Sequence, residues 1–137
     1  MRTNSNLTVY NKHIDSETRG EIYQRTVIYD VAWENRKAAN VLAAGEIAAD
    51  QAVIYIPKAR GDDYLAPRAW QALEDKTDNW TLQTGDFIVK GVVTDEITSE
   101  YTISDLKAEY DDVLRILSVD TMDIGSLSVQ HWQVGAK

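Results

Sequence analysis

The two histidines are the side chains of this sequence best suited to acid–base or metal chemistry near neutral pH. His13 and His131 each stand without another histidine, a cysteine or a carboxylate at ligand spacing. A zinc site needs three or four such ligands held together. His131 also alternates with Gln130 and Trp132, which is the pattern of a strand. We therefore expect no metal at either histidine.

Acidic side chains are the next candidates for chemistry, and they occur in pairs: Asp62–Asp63, Asp111–Asp112 and Asp120 with Asp123. A calcium loop needs several oxygen ligands at fixed offsets together with a shaped turn, and none of the pairs has that pattern. Solvated turns explain these acidic pairs better than a calcium loop does. Asp86 follows Gly85 and is expected to cap its own turn, because aspartate bonds nearby backbone there.

Nucleophile and phosphate motifs are missing from the sequence. No G-x-S-x-G elbow is present, and the seven glycines are scattered rather than gathered into a phosphate loop. No pair of a general acid and a base, or of a nucleophile and a base, can be named. The sequence predicts no catalytic residue, no cofactor and no metal, and a protein that is not an enzyme.

The composition limits the choice of partner. The 137 residues suit one domain, and 22 acids against 14 bases give a net charge of −8. Such a charge argues against a protein that binds nucleic acid through its phosphates. It suits the wall of a channel that DNA passes through without binding. Seven tyrosines and four tryptophans serve a core or a subunit interface. The polar N-terminus and the lack of a membrane-length apolar run predict a cytoplasmic protein without a membrane partner.

The segment around which the other elements are arranged is Thr84–Gly91, TGDFIVKG. A Gly-Asp turn opens it, Phe87 to Val89 fit a half-buried strand, and a second glycine closes it. Val92–Ile97 is expected to be the partner strand after that tight turn.

Tyr23–Trp33 shows the clearest alternation of apolar and polar residues. The apolar side chains at Tyr23, Val27, Tyr29, Val31 and Trp33 are predicted to share one face of a single strand.

The remaining elements follow from local composition. The sequence predicts short strands, one of them ended by a proline, and a helix capped by Thr102 or Ser104: strands Asn6–Lys12, Ala52–Ile56 (before Pro57), Val113–Val119 and Leu127–Val134, and helix Thr102–Tyr110. Arg36–Asp50 is ambiguous between helix and extended arms that turn near Gly45, and we favour the arms. The predicted fold is all-β (β-rich α+β): a small β-barrel or sandwich of six to seven strands with one short helix and a long inter-strand loop, in a single domain spanning residues 1–137.

Lys58–Asn79 is the long inter-strand loop, and loops of this length in compact domains tend to be functional. Pro67 favours a short helix within it. Its mixed charges and aromatic side chains make it the candidate channel or docking loop, with these residues: Lys58, Arg60, Asp62, Asp63, Tyr64, Arg68 and Trp70. The alternative is a solvated loop with a short helix packed on its own barrel.

The order of these features resembles the small head–tail connector proteins of tailed bacteriophages, namely the head-closure (stopper) and small minor capsid proteins. The matching pieces span nearly the whole chain: N-L-T-V-Y-N at Asn6–Asn11, Y-Q-R-T-V-I-Y-D-V-A-W at Tyr23–Trp33, the I-P end of Val53–Pro57, a loop with Tyr64 and Pro67, W-T-L-Q-T-G-D-F-I-V-K-G at Trp80–Gly91, and a short helix before two closing strands. These motifs are structural rather than catalytic.

The resemblance implies a β-barrel subunit of a ring in the virion neck, assembled in the bacterial host cytoplasm. The ring would close the DNA exit below the portal or adaptor protein and dock the tail-terminator or tail-tube protein beneath it. Double-stranded DNA would pass without sequence-specific binding.

Two other functions stay open at this point. A tail-terminator or tail-completion protein of the same neck also fits the pattern. A barrel that binds single-stranded nucleic acid or a small ligand would use basic and aromatic residues of the long loop, such as Lys58, Tyr64 and Trp70.

Overall fold

The computed structural model describes residues 2–15, 17–35 and 52–137, and the described strands form a closed antiparallel barrel. The strands are β1 (Ser5–Ile14), β2 (Glu21–Asn35), β3 (Ala52–Pro57), β4 (Phe87–Lys90), β5 (Val113–Met122) and β6 (His131–Ala136). Two short helices, α1 (Pro67–Gln71) and α2 (Ile103–Glu109), and a 3₁₀ turn at Lys58–Arg60 lie between strands. The predicted all-β class, with a small barrel of about six strands, is confirmed.

The six strands follow the spatial order β1-β2-β3-β6-β5-β4, and β4 returns to pair with β1. Closure leaves each of these six strands with two neighbours, so none of the described strands serves as a free sheet edge along its whole length. β3 and β4 therefore separate the β1–β2 pair from the β5–β6 pair, one on each side. The two hairpins lie across the barrel from each other.

The barrel interior is filled by aliphatic and aromatic side chains. The principal members are buried and come from all six strands and from the segment before β4: Leu7, Val9, Ile28, Val31, Trp33, Ile54, Ile56, Trp80, Leu82, Ile88, Leu114, Ile116, Trp132 and Val134. A barrel this small has room inside only for side chains.

A second apolar cluster lies on the outside of the sheet, under α2. Tyr10, Val89, Val93 and Leu106 are buried there, with Tyr23 and Phe87 packed against them. Thr102 caps α2 as predicted: its hydroxyl accepts from the Asp105 amide while the Asp105 carboxylate accepts from the Thr102 amide. The helix thus covers one outer face of the barrel.

β2 does not have the single apolar face that the sequence predicts along Tyr23–Trp33. Leu7 pairs with Ile28 and Ser5 with Val31, so β2 holds one extra residue, and Asp30 adopts a φ of 59°. This bulge reverses the side-chain alternation. Ile28 and Val31 are both buried, whereas Tyr29, expected inside, is 56% exposed.

The predicted strand at Val92–Ile97 is also wrong. β4 already pairs with β1 on one side and β5 on the other, so a further strand has no ladder to join. Gly91 turns the chain away with a φ of 98°. The segment instead crosses the outer face, where the Tyr10 hydroxyl donates to the Asp95 carbonyl oxygen at 2.6 Å.

Two further boundaries differ from prediction. Leu127 lies in a turn, and the last strand begins only at His131. The predicted arms at Arg36–Asp50 lie outside the described residues. None of the helices within the described ranges has the length and apolar content needed to cross a membrane.

Candidate functional site

Trp70 of the long loop lies inside the molecule rather than on a free surface. Its ring is fully buried, meets the His13 ring edge-on with centroids 5.6 Å apart, and has the Lys76 ammonium over it. Its indole Nε1 donates to the Asn79 carbonyl oxygen at 3.1 Å. Burial and the neighbouring Lys76 charge together lower the pKa of His13. α1 is thereby fixed beside the end of β1.

Tyr64 anchors the beginning of the same loop. Its half-buried ring lies 4.3 Å from the Trp132 ring and 5.2 Å from the Trp80 ring, measured between centroids. Gly61 makes this approach possible, since a Cβ there would come within 2.3 Å of the Trp132 ring. The three rings extend the barrel core into the loop.

Polar side chains of β1 and β2 complete the attachment of the long loop to the barrel. Asn11 donates to the Thr81 carbonyl oxygen at 2.8 Å and accepts from the Thr81 amide at 3.1 Å. Gln24 donates to the Asn79 carbonyl oxygen at 2.8 Å and also to that of Lys76. The residues from 58 to 83 therefore form a cap on this end of the barrel.

A buried carboxylate braces the end of that cap. Asp86 accepts hydrogen bonds from Asn11 at 2.9 Å, from Gln83 at 2.7 Å and from the Lys12 amide at 3.2 Å. Burial raises the pKa of Asp86, and the bonds from Gln83 and Asn11 offset part of that rise. The sequence predicts that Asp86 bonds nearby backbone in its own turn, but two of its three partners, Asn11 and Lys12, belong to β1.

The charged candidates of the loop are spread over its rim. Lys58 has its ammonium 5.6 Å from the Trp132 ring centroid, and Arg60 forms an ion pair with Asp30 at 2.9 Å. The others, Asp62, Asp63 and Arg68, are exposed. The structure thus brings Lys58 and Tyr64 together on Trp132 and keeps Trp70 apart at α1. The candidates do not line one groove.

The turn between β5 and β6 is a surface that the sequence reasoning missed. Ile124 is 88% exposed, Leu127 62% and Val129 51%. The Gln130 side-chain amide donates to the Gly125 carbonyl oxygen at 2.8 Å, and the Val129 amide donates to that of Ser126 at 3.0 Å. We call residues 122–130 the hairpin tip. Aliphatic residues among glycine and serine were the available signal, but Leu127 and Val129 fall within the predicted strand Leu127–Val134, and the sequence predicts no element at Ile124.

A groove lies on the other side of the barrel, between the beginning of β2 and α2. Its volume is about 380 Å³, and its lining is mainly apolar: Glu21, Ile22, Tyr23, Ile97, Thr98, Ser99, Thr102 and Ile103. We call it the β2–α2 groove.

A second, more polar cavity of about 530 Å³ lies beside the cap and includes His13, Asp15, Glu74 and Lys76. Its charges are of mixed sign. Within the described ranges, no group of three or more histidine, cysteine or acidic side chains is arranged to hold a metal ion.

Comparison with known proteins places the chain by family alone. A search of curated proteins and a search of solved structures give no match. Residues 2–137 match the group described as "Family of unknown function (DUF6751)". Because this match covers almost the whole chain, the protein belongs to the DUF6751 family.

Proposed function

We propose that this protein is a structural ring subunit of a tailed-phage neck, of the head-closure (stopper) type. It closes the DNA exit channel below the portal or adaptor protein and provides the docking surface for the tail-terminator or tail-tube protein. The proposal rests on the resemblance of the sequence to the head–tail connector proteins.

One structural observation carries the proposal: the barrel is filled, while aliphatic side chains are exposed at a projecting turn. Leu7, Ile54 and Ile88 are fully buried in the barrel, which leaves its interior to packing rather than to a ligand. Exposed apolar clusters on small proteins mark contacts with other proteins. A protein of this kind acts through its surface, as a ring subunit does.

The overall charge supports the same function. A net charge of −8 disfavours binding to the DNA backbone and suits a channel component that DNA must pass. Assembly would take place in the host cytoplasm and the product would be the virion neck.

The alternative of a single-strand nucleic-acid binder is weaker. Such proteins stack bases on exposed aromatic rings. Trp70 is fully buried, and Tyr64 packs on Trp132, so the predicted stacking residues face the barrel. Arg60 is paired with Asp30 at 2.9 Å.

The test is a deletion of the gene from the phage or prophage that carries it, followed by electron microscopy of the particles. Head closure predicts heads that package and then lose DNA and that lack tails, with full restoration by the gene supplied from a plasmid. Full, closed heads with tails of abnormal length would replace the proposal by a tail-terminator role. Normal infectious particles would contradict both neck functions.

A further inference from the structure

The second half of β5 extends beyond the strand that borders its first half. β4 pairs with β5 only at residues 113–115, and the segment before β4 continues this border to Ile116. β6 pairs with β5 as far as Met122. Residues 118–122 therefore have β6 on one side and, among the described residues, no ladder partner on the other. We call residues 118–122 the open edge of β5.

The hydrogen-bonding pattern of the β5–β6 ladder is set by the pair at its end. Arg115 and Lys137 exchange two backbone hydrogen bonds, at 3.2 and 3.0 Å. The backbone groups of an antiparallel strand point alternately to one neighbour and to the other. Every second residue back from Lys137, Gln133 among them, therefore directs its N–H and C=O groups to β5. Asp120, the partner of Gln133, thus lies in a hydrogen-bonded pair.

Val119 and Thr121 alternate with that pair, so their N–H and C=O groups point away from β6 into the open edge. Thr121 is exposed and Val119 is half-buried. Within the part of the chain that the structure describes, no backbone hydrogen bond joins either residue to an element other than β6. Their backbone groups are therefore available to an added strand, which is how a sheet edge binds an extended segment.

The side chains of the open edge indicate what an added strand should carry. Val119 packs against the barrel core, so Val119 and Thr121 point inward, and Asp120 between them points outward. Residues that neighbour each other across a ladder share a face of the sheet. An added strand would therefore place one residue beside Asp120 on the outer face. Its flanking residues would lie beside Val119 and Thr121 on the inner face.

Charge decides which residue suits the outer position. The chain from Ile116 to Ala136 contains Asp120 and Asp123 but no lysine or arginine. Lys58 lies against the inward-pointing Trp132, so its charge is on the other face. A lysine or arginine beside Asp120 would form an ion pair, whereas an acidic residue would be repelled. Two copies that paired through this edge would bring their acidic residues together on one face.

From these observations we propose that the open edge of β5 binds an extended segment of a partner protein. The segment adds to the sheet as a strand, with lysine or arginine beside Asp120 and β-branched residues on either side of it. The exposed Ile124 of the hairpin tip follows the edge and adds apolar area to the contact. This inference rests on the proposed function only for the source of the segment, a neighbouring neck protein.

The test measures the binding of two matched synthetic peptides to the purified full chain. The first peptide is acetyl-STVKVTS-amide, and the second has glutamate in place of the lysine. Backbone amide chemical shifts give the Kd and locate the contact. We expect the lysine peptide to bind about ten-fold more tightly than the glutamate peptide, with the largest shifts at Val119 and Thr121.

A charge exchange at the outer position is the first control. Asp120→Lys should reverse the preference, so that the glutamate peptide binds more tightly than the lysine peptide. Asp120 is exposed, so this variant is expected to fold.

A change of the backbone donor is the second control. Thr121→Pro removes an outward N–H group and should weaken binding of the lysine peptide by about ten-fold. Thr121→Val keeps that group and should leave the Kd within about two-fold of the native value. Circular dichroism checks the fold of each variant, and the exchange at Asp120 tests the proposal even where Thr121→Pro does not fold.

Three results with the peptides would overturn the proposal: equal binding of the two peptides, no saturable binding of either, or shifts confined to another surface. Shifts at Val119 and Thr121 that grow with protein concentration in the absence of peptide would also overturn it, because a second copy would then occupy the edge.

Failure of this contact and failure of the neck function are distinguishable. Leaking, tailless heads after gene deletion together with no preference between the peptides would keep the function and reject the contact. A peptide preference that Asp120→Lys reverses, together with normal infectious particles, would keep the contact and reject the neck function.

Discussion

Tyr29 and Val31 lie two residues apart on β2, but the bulge at Asp30 gives their side chains opposite surroundings. Val31 is fully buried and Tyr29 is 56% exposed. Val31→Asp would bury a charge without a partner, at a cost of at least about 4 kcal/mol in the free energy of unfolding. We expect little soluble, folded protein from this variant.

Tyr29→Asp is the matched control, and it should change the free energy of unfolding by no more than about 0.5 kcal/mol. Urea unfolding followed by tryptophan fluorescence compares the two variants. A folded Val31→Asp protein with an unchanged midpoint would show that the bulge lies elsewhere.

Asp86 predicts an unusual pH dependence. Burial raises its pKa above the ordinary value of 3.8, so the folded state holds the proton more tightly than the unfolded state does. Its contribution is fully present below 3.8 and is lost as pH rises through the folded-state pKa. Relative to Asp86→Asn, the native protein should become less stable as pH rises above about 4.

Carbon-detected NMR titration of the Asp86 carboxyl group measures this directly. A pKa below 3.8 would mean that the bonds from Gln83 and Asn11 outweigh burial. Asp15 provides an internal contrast, because the hydroxyl of Thr18 lowers its pKa and its contribution is lost as pH falls.

At the scale of elements, the long segment acts first as the cap of its own barrel. Trp70 holds α1 against β1 through His13 and is fully buried. Trp70→Ala should lower the free energy of unfolding by about 3–5 kcal/mol, the usual cost of removing a large buried ring. Arg68→Ala, two residues away on α1 and exposed, should cost about 0.5 kcal/mol or less.

Urea unfolding curves of both variants test the cap. Equal, small losses would show that α1 does not contribute to barrel stability and would restore the view of a free loop. The outcome also bears on function, since a cap anchored by Tyr64 and Trp70 leaves only its charged rim to meet a partner.

The strands and the late helix were predictable because their signals are local. Pro57 ends β3, Thr102 caps α2, and Val113 begins β5 as expected. The bulge in β2 was not predictable. The only hint in the sequence is Asp30, because aspartate is one of the residue types that tolerate a positive φ. The prediction of a second strand after Gly91 was wrong because β4 already pairs with β1 on one side and β5 on the other. That closure of the barrel joins segments far apart in the sequence, so local patterns do not indicate it.

The candidate site was predictable only in part. The length and aromatic content of Lys58–Asn79 marked it as important, but the partners of Trp70 and Tyr64 are His13 and Trp132, which the sequence does not connect to it. Part of the hairpin tip was missed because Leu127 and Val129, at alternate positions, favour a strand. Only the structure shows that Ile124 and Leu127 are exposed.

At the scale of the whole molecule, net charge predicts the state of the isolated protein. Copies that each carry a net charge of −8 repel one another, and salt screens the repulsion over a Debye length of about 8–10 Å at physiological ionic strength. We expect a monomer at moderate salt and a ring only on the portal side of a packaged head. Light scattering tests this, and a stable large ring of purified protein would contradict the need for a template.

The most direct test of the neck function is the position of the protein in the virion. Purified particles are labelled with antibody against this chain and viewed by electron microscopy, with gene-deleted particles as the control for specificity. We predict label confined to the junction between head and tail. Label on the capsid shell or the tail tip, or no specific label on intact particles or on detergent-opened necks, would contradict the proposed function.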